Sequence, residues 1–178
     1  MNKCWPSSGK LLALDVGLAR IGLAVCDPLR LAVRPHSTWT RADRRSDFAH
    51  LATVIAREEI VAVVCGLPLN MDGSEGPQAR TTRKWAMRLA HAMRLLLGRP
   101  IPVALHDERL SSYDARTVAH QWPAAVGEDA VAAAIILQSL LDALRSGKPI
   151  PAELICLPAR TPGDAPDVGQ AELEEKSD

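Results

Sequence analysis

Three acidic positions in this chain stand where an α/β protein places its chemistry. Asp15 ends a short apolar run, Lys10–Asp15 (KLLALD). Asp107 and Glu108 follow another, Ile101–Leu105, and Asp129 opens a long Ala/Ile/Leu-rich stretch. In open α/β sheets ligands bind beyond the strand ends, so two strand termini and one helix start can converge on one site. Asp129 is the most informative. On a helix it shares a face with Ala132, Ala133, Ile136, Leu140, Ala143 and Leu144, the face a helix turns to a sheet. An ionised carboxylate there is costly unless it is paired or bound to a cation. Each acid alone has a plainer reading: Asp129 as a helix N-cap, Asp15 as a turn former, Glu108 as half of a surface ion pair with Arg109. Together, with no His or Cys to join them, they suit Mg²⁺ or Mn²⁺. Two such ions about 4 Å apart can activate water and stabilise the leaving oxygen of a phosphodiester. Mutual repulsion keeps such a site weak until metal and phosphate arrive together.

Other residues fit the same chemistry less specifically. Gly17, with Ile21 and Gly22, lets backbone approach a phosphate or simply closes a tight hairpin. Gly66-Leu67-Pro68-Leu69 reads as a substrate-facing loop or as a strand terminator. Arg80, Lys84 and Arg88 recur every four residues, a stripe that can track a phosphate backbone or merely face solvent. No acid occurs from Pro77 to His106. The five histidines share no spacing and read as non-catalytic, His106 included although it adjoins the acids. Cys26 and Cys65 lie in apolar runs and read as small buried thiols; no CxxC pair or Cys/His metal cluster occurs. Trp39, Trp85 and Trp122 read as packing residues.

The elements that position these groups follow from periodicity. Lys10–Asp15 and Arg20–Asp27 flank a Gly17 turn and read as a hairpin, with Leu31–Thr40 a weaker third strand interrupted by Pro35. Phe48, Leu51, Ala52 and Ile55 give a helix from Ser46 to Glu59, with Ser46 or Asp47 as cap. Ile60–Cys65 (IVAVVC) is a buried parallel strand, and Asn70–Gly76 a loop. Residues 77–97 form the longest helix, with Pro77 in its first turn and Trp85, Leu89, Ala92 and Leu96 on its apolar face. Ile101–Leu105 is a further strand. A helix capped by Ser111 or Ser112 runs to Ala119, Gln121–Gly127 is a connector, and Asp129–Arg145 is the last helix. The order β-β-β-α-β-α-β-α-α predicts a mixed sheet with helices on both faces. Residues 1–9 read as a disordered leader, 10–150 as the domain, and 151–178 as a largely disordered Pro-rich acidic tail with at most a short ordered strap.

At 178 residues, 47% of them hydrophobic and 24% charged, the chain carries a full core and is not wholly disordered. The zero net charge conceals an asymmetry. The last fifteen residues hold six acids against Lys176, so residues 1–163 carry 20 basic and 15 acidic groups, a net of +5 compatible with nucleic-acid binding. No apolar run approaches the roughly 18 residues of a membrane span. The sequence MNKCWPSSGK lacks the hydrophobic core of a signal peptide, so a cytoplasmic location is expected.

In order along the chain, LLALDVGLARIGLAVCD, VVCGLPLNMDGSEGPQA, HDERLSS and EDAVAAAIILQSLLD resemble the YqgF (RuvX) family over about residues 11–145. The resemblance implies an RNase H-like fold: a five-stranded mixed sheet, its first three strands antiparallel, flanked by helices. It also implies a metal-dependent nuclease that processes the 5′ end of precursor 16S rRNA. The relationship to RuvC-type resolvases makes branched DNA, cut by a dimer, the alternative substrate; a third alternative is a non-catalytic RNA- or ribosome-binding factor. Matching of motifs puts the family's catalytic and metal-holding acids on Asp15, Glu108 and Asp129. The family's GLP loop, which positions substrate, falls on Gly66–Pro68; with Gly17, Arg20, Asn70, Arg109, Arg80 and Lys84 it completes the candidate substrate-binding set. Precursor rRNA, with or without the ribosome, is the expected partner of a monomer or homodimer. The sequence departs from the family in its connector, which has no basic residue, and in its long acidic tail. Actin-type ATPases, which use two such domains, are disfavoured by length.

Overall fold

A computed structural model describes residues 4–110, 122, 127–146 and 152–159. Strands β1 (Leu11–Val16), β2 (Arg20–Cys26) and β3 (Val33–Thr40) form an antiparallel meander. Helix α1 (Arg44–Arg57) leads to β4 (Ala62–Leu67), and α2 (Pro77–Leu96) to β5 (Val103–Asp107). A 3₁₀ turn (Glu108–Leu110) follows at once. Then come α3 (Glu128–Arg145) and β6 (Ala152–Ile155). The sheet order is β3-β2-β1-β4-β5-β6, with β1, β4 and β5 parallel and β6 antiparallel to β5. The sheet therefore has six strands where five were expected. The run Ala-Glu-Leu-Ile is short and flanked by Pro151 and Pro158, which mark it as an edge strand with little periodic signal.

Strand alternation divides the core into two layers of different grain. Leu12, Leu14, Leu23, Val63, Val103 and Leu105 point to the face covered by α1 and α2, where Phe48, Leu51, Ile55, Trp85, Leu89 and Met93 are buried. Leu11, Ala13, Ala24, Ala62 and Val64 point to the other face, covered by α3 through Ala133, Ala134, Leu137 and Leu140. Small residues on both partners bring α3 close to the sheet. Asp15, two residues past Ala13, belongs to this second face.

Boundaries differ from expectation in instructive places. Strand β4 runs through Gly66 and Leu67, and β5 through His106 and Asp107, each about two residues later than the apolar run alone suggests. The α1 cap is Asp43, whose carboxylate accepts from the Ser46 amide at 2.9 Å, not Ser46 or Asp47. On α2, Leu96 is half exposed, and Ala86, Ala90 and Met93 fill the buried face instead. The leader expected to be disordered is tied down from Cys4 onward. Cys4 is disulfide-bonded to Cys156, the Gly9 amide donates to the Pro28 carbonyl, and Arg30 donates to the Pro6 and Gly9 carbonyls. The helix expected over 111–119, most of the Gln121–Gly127 connector and the tail beyond residue 159 lie outside the described residues.

Candidate active site

Asp15 sits one residue from the end of β1, opposite Gly22 on β2. Glu108 is the first residue after β5, turned by the 3₁₀ bend. Asp129 is the second residue of α3. The helix is capped by the extended backbone of Gly127 with no side-chain cap bond, which leaves the Asp129 carboxylate free of that task. Three elements thus deliver three acids to the C-terminal edge of the parallel strands, the edge at which such sheets bind ligands.

Two glycines make this convergence sterically possible. A Cβ at Gly22 would overlap the Asp129 carbonyl and lie 2.9 Å from the Ala130 nitrogen, so the bare strand is the seat of the α3 N-terminus. This overrides the expectation that Gly22 admits a phosphate. A Cβ at Gly66 would overlap the Glu108 carboxylate and lie 2.6 Å from Ile136 Cδ1. Gly66 is therefore neither loop nor terminator but the floor beneath Glu108.

The acids feel one another. Burial, then the charge of Asp129, holds the Asp15 carboxyl above its usual range. Burial first, with Asp15 and Asp107 adding to it, pushes Glu108 up to about 7. Asp15 is thus coupled to both of the others. Arg20 Nε donates to Asp129 Oδ2 at 2.7 Å, a partly exposed pair. Among the described residues no three Asp, Glu, His or Cys side chains are already gathered closely enough to hold a metal ion. The donor set is nevertheless all oxygen and crowded with like charge, and a hard divalent cation drawing the three carboxylates inward would relieve that repulsion. The residues fit such an ion.

The remaining expected residues divide by location. Gly17 closes the β1–β2 turn, its amide donating to the Arg20 carbonyl at 3.0 Å. Arg109 is spent within the fold. Its guanidinium donates from Nε and Nη2 to the Asp107 carboxylate and from Nη1 to the Met71 carbonyl at 3.0 Å. It thereby ties the Asn70–Gly76 loop to the Glu108 turn and holds Asp107 below the usual carboxylate range. Asn70 Nδ2 donates to Ser74 Oγ inside that loop, and Pro68 leads into it. Arg80 and Lys84 are exposed on α2, on the sheet face opposite Asp15, and are not brought to the acids. His106 is buried against Ser139 of α3, 3.0 Å away, in keeping with a packing role.

One group near the site was not anticipated. Asp47 is 1% exposed. Its carboxylate accepts from Trp39 Nε1 and Arg41 Nε, both at 3.0 Å, and Arg41 Nη1 donates to the Gly17 carbonyl at 2.7 Å. This bracket fixes the turn that carries Arg20. Its sequence signal, an Asp in the first turn of a helix, is the same as that of any surface cap.

A mixed sheet with an antiparallel meander, two parallel strands beside it and acids at their shared edge defines the RNase H-like class of α/β protein. Two solved RuvC structures from Thermus thermophilus share the fold. One, in complex with a Holliday junction substrate, aligns with TM-score 0.57 at 14% identity over 83% of this chain and 99% of that one. The other aligns with TM-score 0.60 at 13% identity over 82% and 99%. Residues 9–143 match the family described as RuvX, Holliday junction resolvase. Relatives named "Putative pre-16S rRNA nuclease" are 42% identical in an Anaeromyxobacter species, over 75% of this chain and 96% of theirs, and 43% identical in Myxococcus xanthus, over 76% and 89%. The chain belongs to the RuvX family.

Proposed function

We propose that this chain is a divalent-metal-dependent nuclease that hydrolyses phosphodiester bonds in RNA and matures the 5′ end of precursor 16S rRNA. The observation that carries the reading is the meeting of Asp15, Glu108 and Asp129 at one sheet edge, where Gly22 pairs with Asp15 and seats the Asp129 backbone and Gly66 underlies Glu108. Asp15, Glu108 and Asp129 would hold Mg²⁺ or Mn²⁺, which when bound supplies charge neutralisation and an acidified water for attack on phosphorus. Asp15, its backbone paired with the Gly22 that seats Asp129, would hold the ion together with the other two acids. Gly66 lets Glu108 lie back against the sheet, and Gly22 lets α3 carry Asp129 up to Asp15. Arg109 keeps the Asn70–Gly76 loop closed beside Glu108, where Pro68 and Asn70 border the substrate path. The relatives' names support the RNA substrate, and no helix among the described residues is long and apolar enough to cross a membrane. The reading carries a cytoplasmic location and pre-ribosomal RNA as partner.

Branched DNA is the second reading, favoured by the family description and by the junction-bound RuvC of like fold. It requires a dimer, because symmetric incision needs two sites about a twofold axis. One assay separates the readings: purified protein with Mg²⁺ or Mn²⁺, offered precursor rRNA and a four-way junction side by side. We expect the rRNA to be cut by wild type and spared by Asp15→Asn at unchanged fold. Cleavage retained by pure, folded Asp15→Asn removes the mechanism; preference for the junction, with a dimer in sedimentation, selects the second reading.

A further inference from the structure

We infer that Arg20 is an exchangeable counter-ion of the acid site: it occupies Asp129 until a divalent cation arrives, and is then released to a substrate phosphate. The inference rests on the metal-site reading above. Arg20 Nε donates to Asp129 Oδ2 at 2.7 Å, the one hydrogen bond its side chain makes to a described residue. The Arg20 side chain is 59% exposed and that of Asp129 28% exposed, so the pair lies at the mouth of the site and not in the core. An exposed ion pair contributes only about 0–1 kcal/mol and is readily exchanged.

Guanidinium and divalent ion compete for the same place. A hard cation takes carboxylate oxygens at about 2 Å. Arg20 already uses one oxygen of Asp129, and two positive centres on one carboxylate repel. Among the described residues the three acids do not form a metal-holding group, and Asp129 is turned to the arginine. Cation entry therefore displaces Arg20. The backbone of Arg20 stays put: it is paired with Thr40 on β3, its carbonyl accepts from Gly17, and the turn is braced by Arg41. A freed guanidinium on that fixed base stands beside the metal-bound acids, where a scissile phosphate must lie, and its planar fork suits phosphate oxygens. Metal and nucleic acid then bind cooperatively through one side chain, and the coupling is reciprocal.

The test is isothermal titration of metal-free protein with Mn²⁺ alone, for wild type, Arg20→Gln and Asp129→Asn, each checked for fold by circular dichroism. Arg20→Gln is expected to bind Mn²⁺ about fivefold more tightly than wild type, because a competing positive charge is gone. Asp129→Asn is expected to lose most of the binding. In wild type, saturating Mn²⁺ tightens binding of a phosphorothioate RNA oligomer, and the tightening shrinks in Arg20→Gln. Equal or weaker Mn²⁺ affinity in folded Arg20→Gln, with Asp129→Asn still defective, overturns the role of Arg20 and leaves the metal site standing. Mn²⁺ affinity indifferent to Asp129→Asn overturns the metal site and this inference together.

Discussion

Replacing Gly22 by alanine adds one carbon atom, and the structure assigns it no room. In an ordinary strand that change is favourable: alanine has less backbone freedom to lose, a gain of about 0.4–1 kcal/mol. At Gly22 the new carbon would overlap the carbonyl of Asp129 and approach the Ala130 nitrogen to 2.9 Å, where real contacts essentially never fall below 3.0 Å. These are backbone atoms of a helix, so no side chain can swing aside. The N-terminus of α3 must lift, while Leu137, Leu140 and Leu141 hold its later turns in the core. Overpacking of this kind costs about 1–3 kcal/mol, enough to reverse the entropic gain. Function suffers more, because a shift on the order of 1 Å in a reacting group costs about a hundredfold in rate. The assay is cleavage of precursor rRNA alongside thermal melting and Mn²⁺ titration. Gly22→Ala is expected to remain folded with a lowered melting temperature, weakened Mn²⁺ binding and a rate down about a hundredfold. Gly98→Ala, whose Cβ meets nothing within 4 Å but whose φ of +68° an alanine adopts only with strain, serves as the control for lost stability alone: its melting temperature falls while its rate and Mn²⁺ affinity stay at wild type. Wild-type rate and metal affinity in Gly22→Ala would refute the claim that this glycine seats the helix bearing Asp129.

Two further outcomes follow from buried charge. Glu108 loses its proton near pH 7 in the folded protein but near 4.5 when unfolded, so between those values the folded state holds more protons. In chelator, stability is therefore present at low pH and falls as pH rises from about 4.5 to 7. Glu108→Gln removes that fall: its melting temperature should exceed that of wild type at pH 8 and converge with it near pH 4.5, and parallel curves would contradict the assignment. Asp47→Ala leaves Arg41 and the Trp39 indole without their acceptor, which should cost about 3 kcal/mol in urea unfolding. A loss within 0.5 kcal/mol, the range of ordinary surface changes, would mean the bracket is not needed.

What the sequence made legible follows from which interactions are local. Helix α2 announces itself through Pro77 and a long apolar stripe, and β4 through its β-branched run. That Asp15, Glu108 and Asp129 stand toward one edge of the sheet was readable because each lies near the end of an element whose direction the α/β order dictates. The reading of Asp129 as a cap fails, since Gly127 takes that place. The less legible features depend on distant partners. Gly22 and Gly66 look like turn residues until α3 and Glu108 are set upon them. Arg109 looks like a substrate contact until its donors are traced to Asp107 and Met71. Asp47 is indistinguishable from a surface cap until Trp39 and Arg41 close over it. The last strand is four residues long, too short for any period to register.

In an oxidising medium the bond between Cys4 and Cys156, 152 positions apart, converts nearly the whole fold into a covalent ring; in a reducing cytoplasm the two thiols stand as neighbours. Because β6 runs against β5, its closing residue Ile155 lies beside Val103, at the end of the sheet remote from Asp107 and Glu108. The clasp is therefore fastened at the end of the sheet behind the candidate acid site. Opening or closing that bond acts on the molecule from behind, with the length of a β-strand between the sulfurs and the carboxylates.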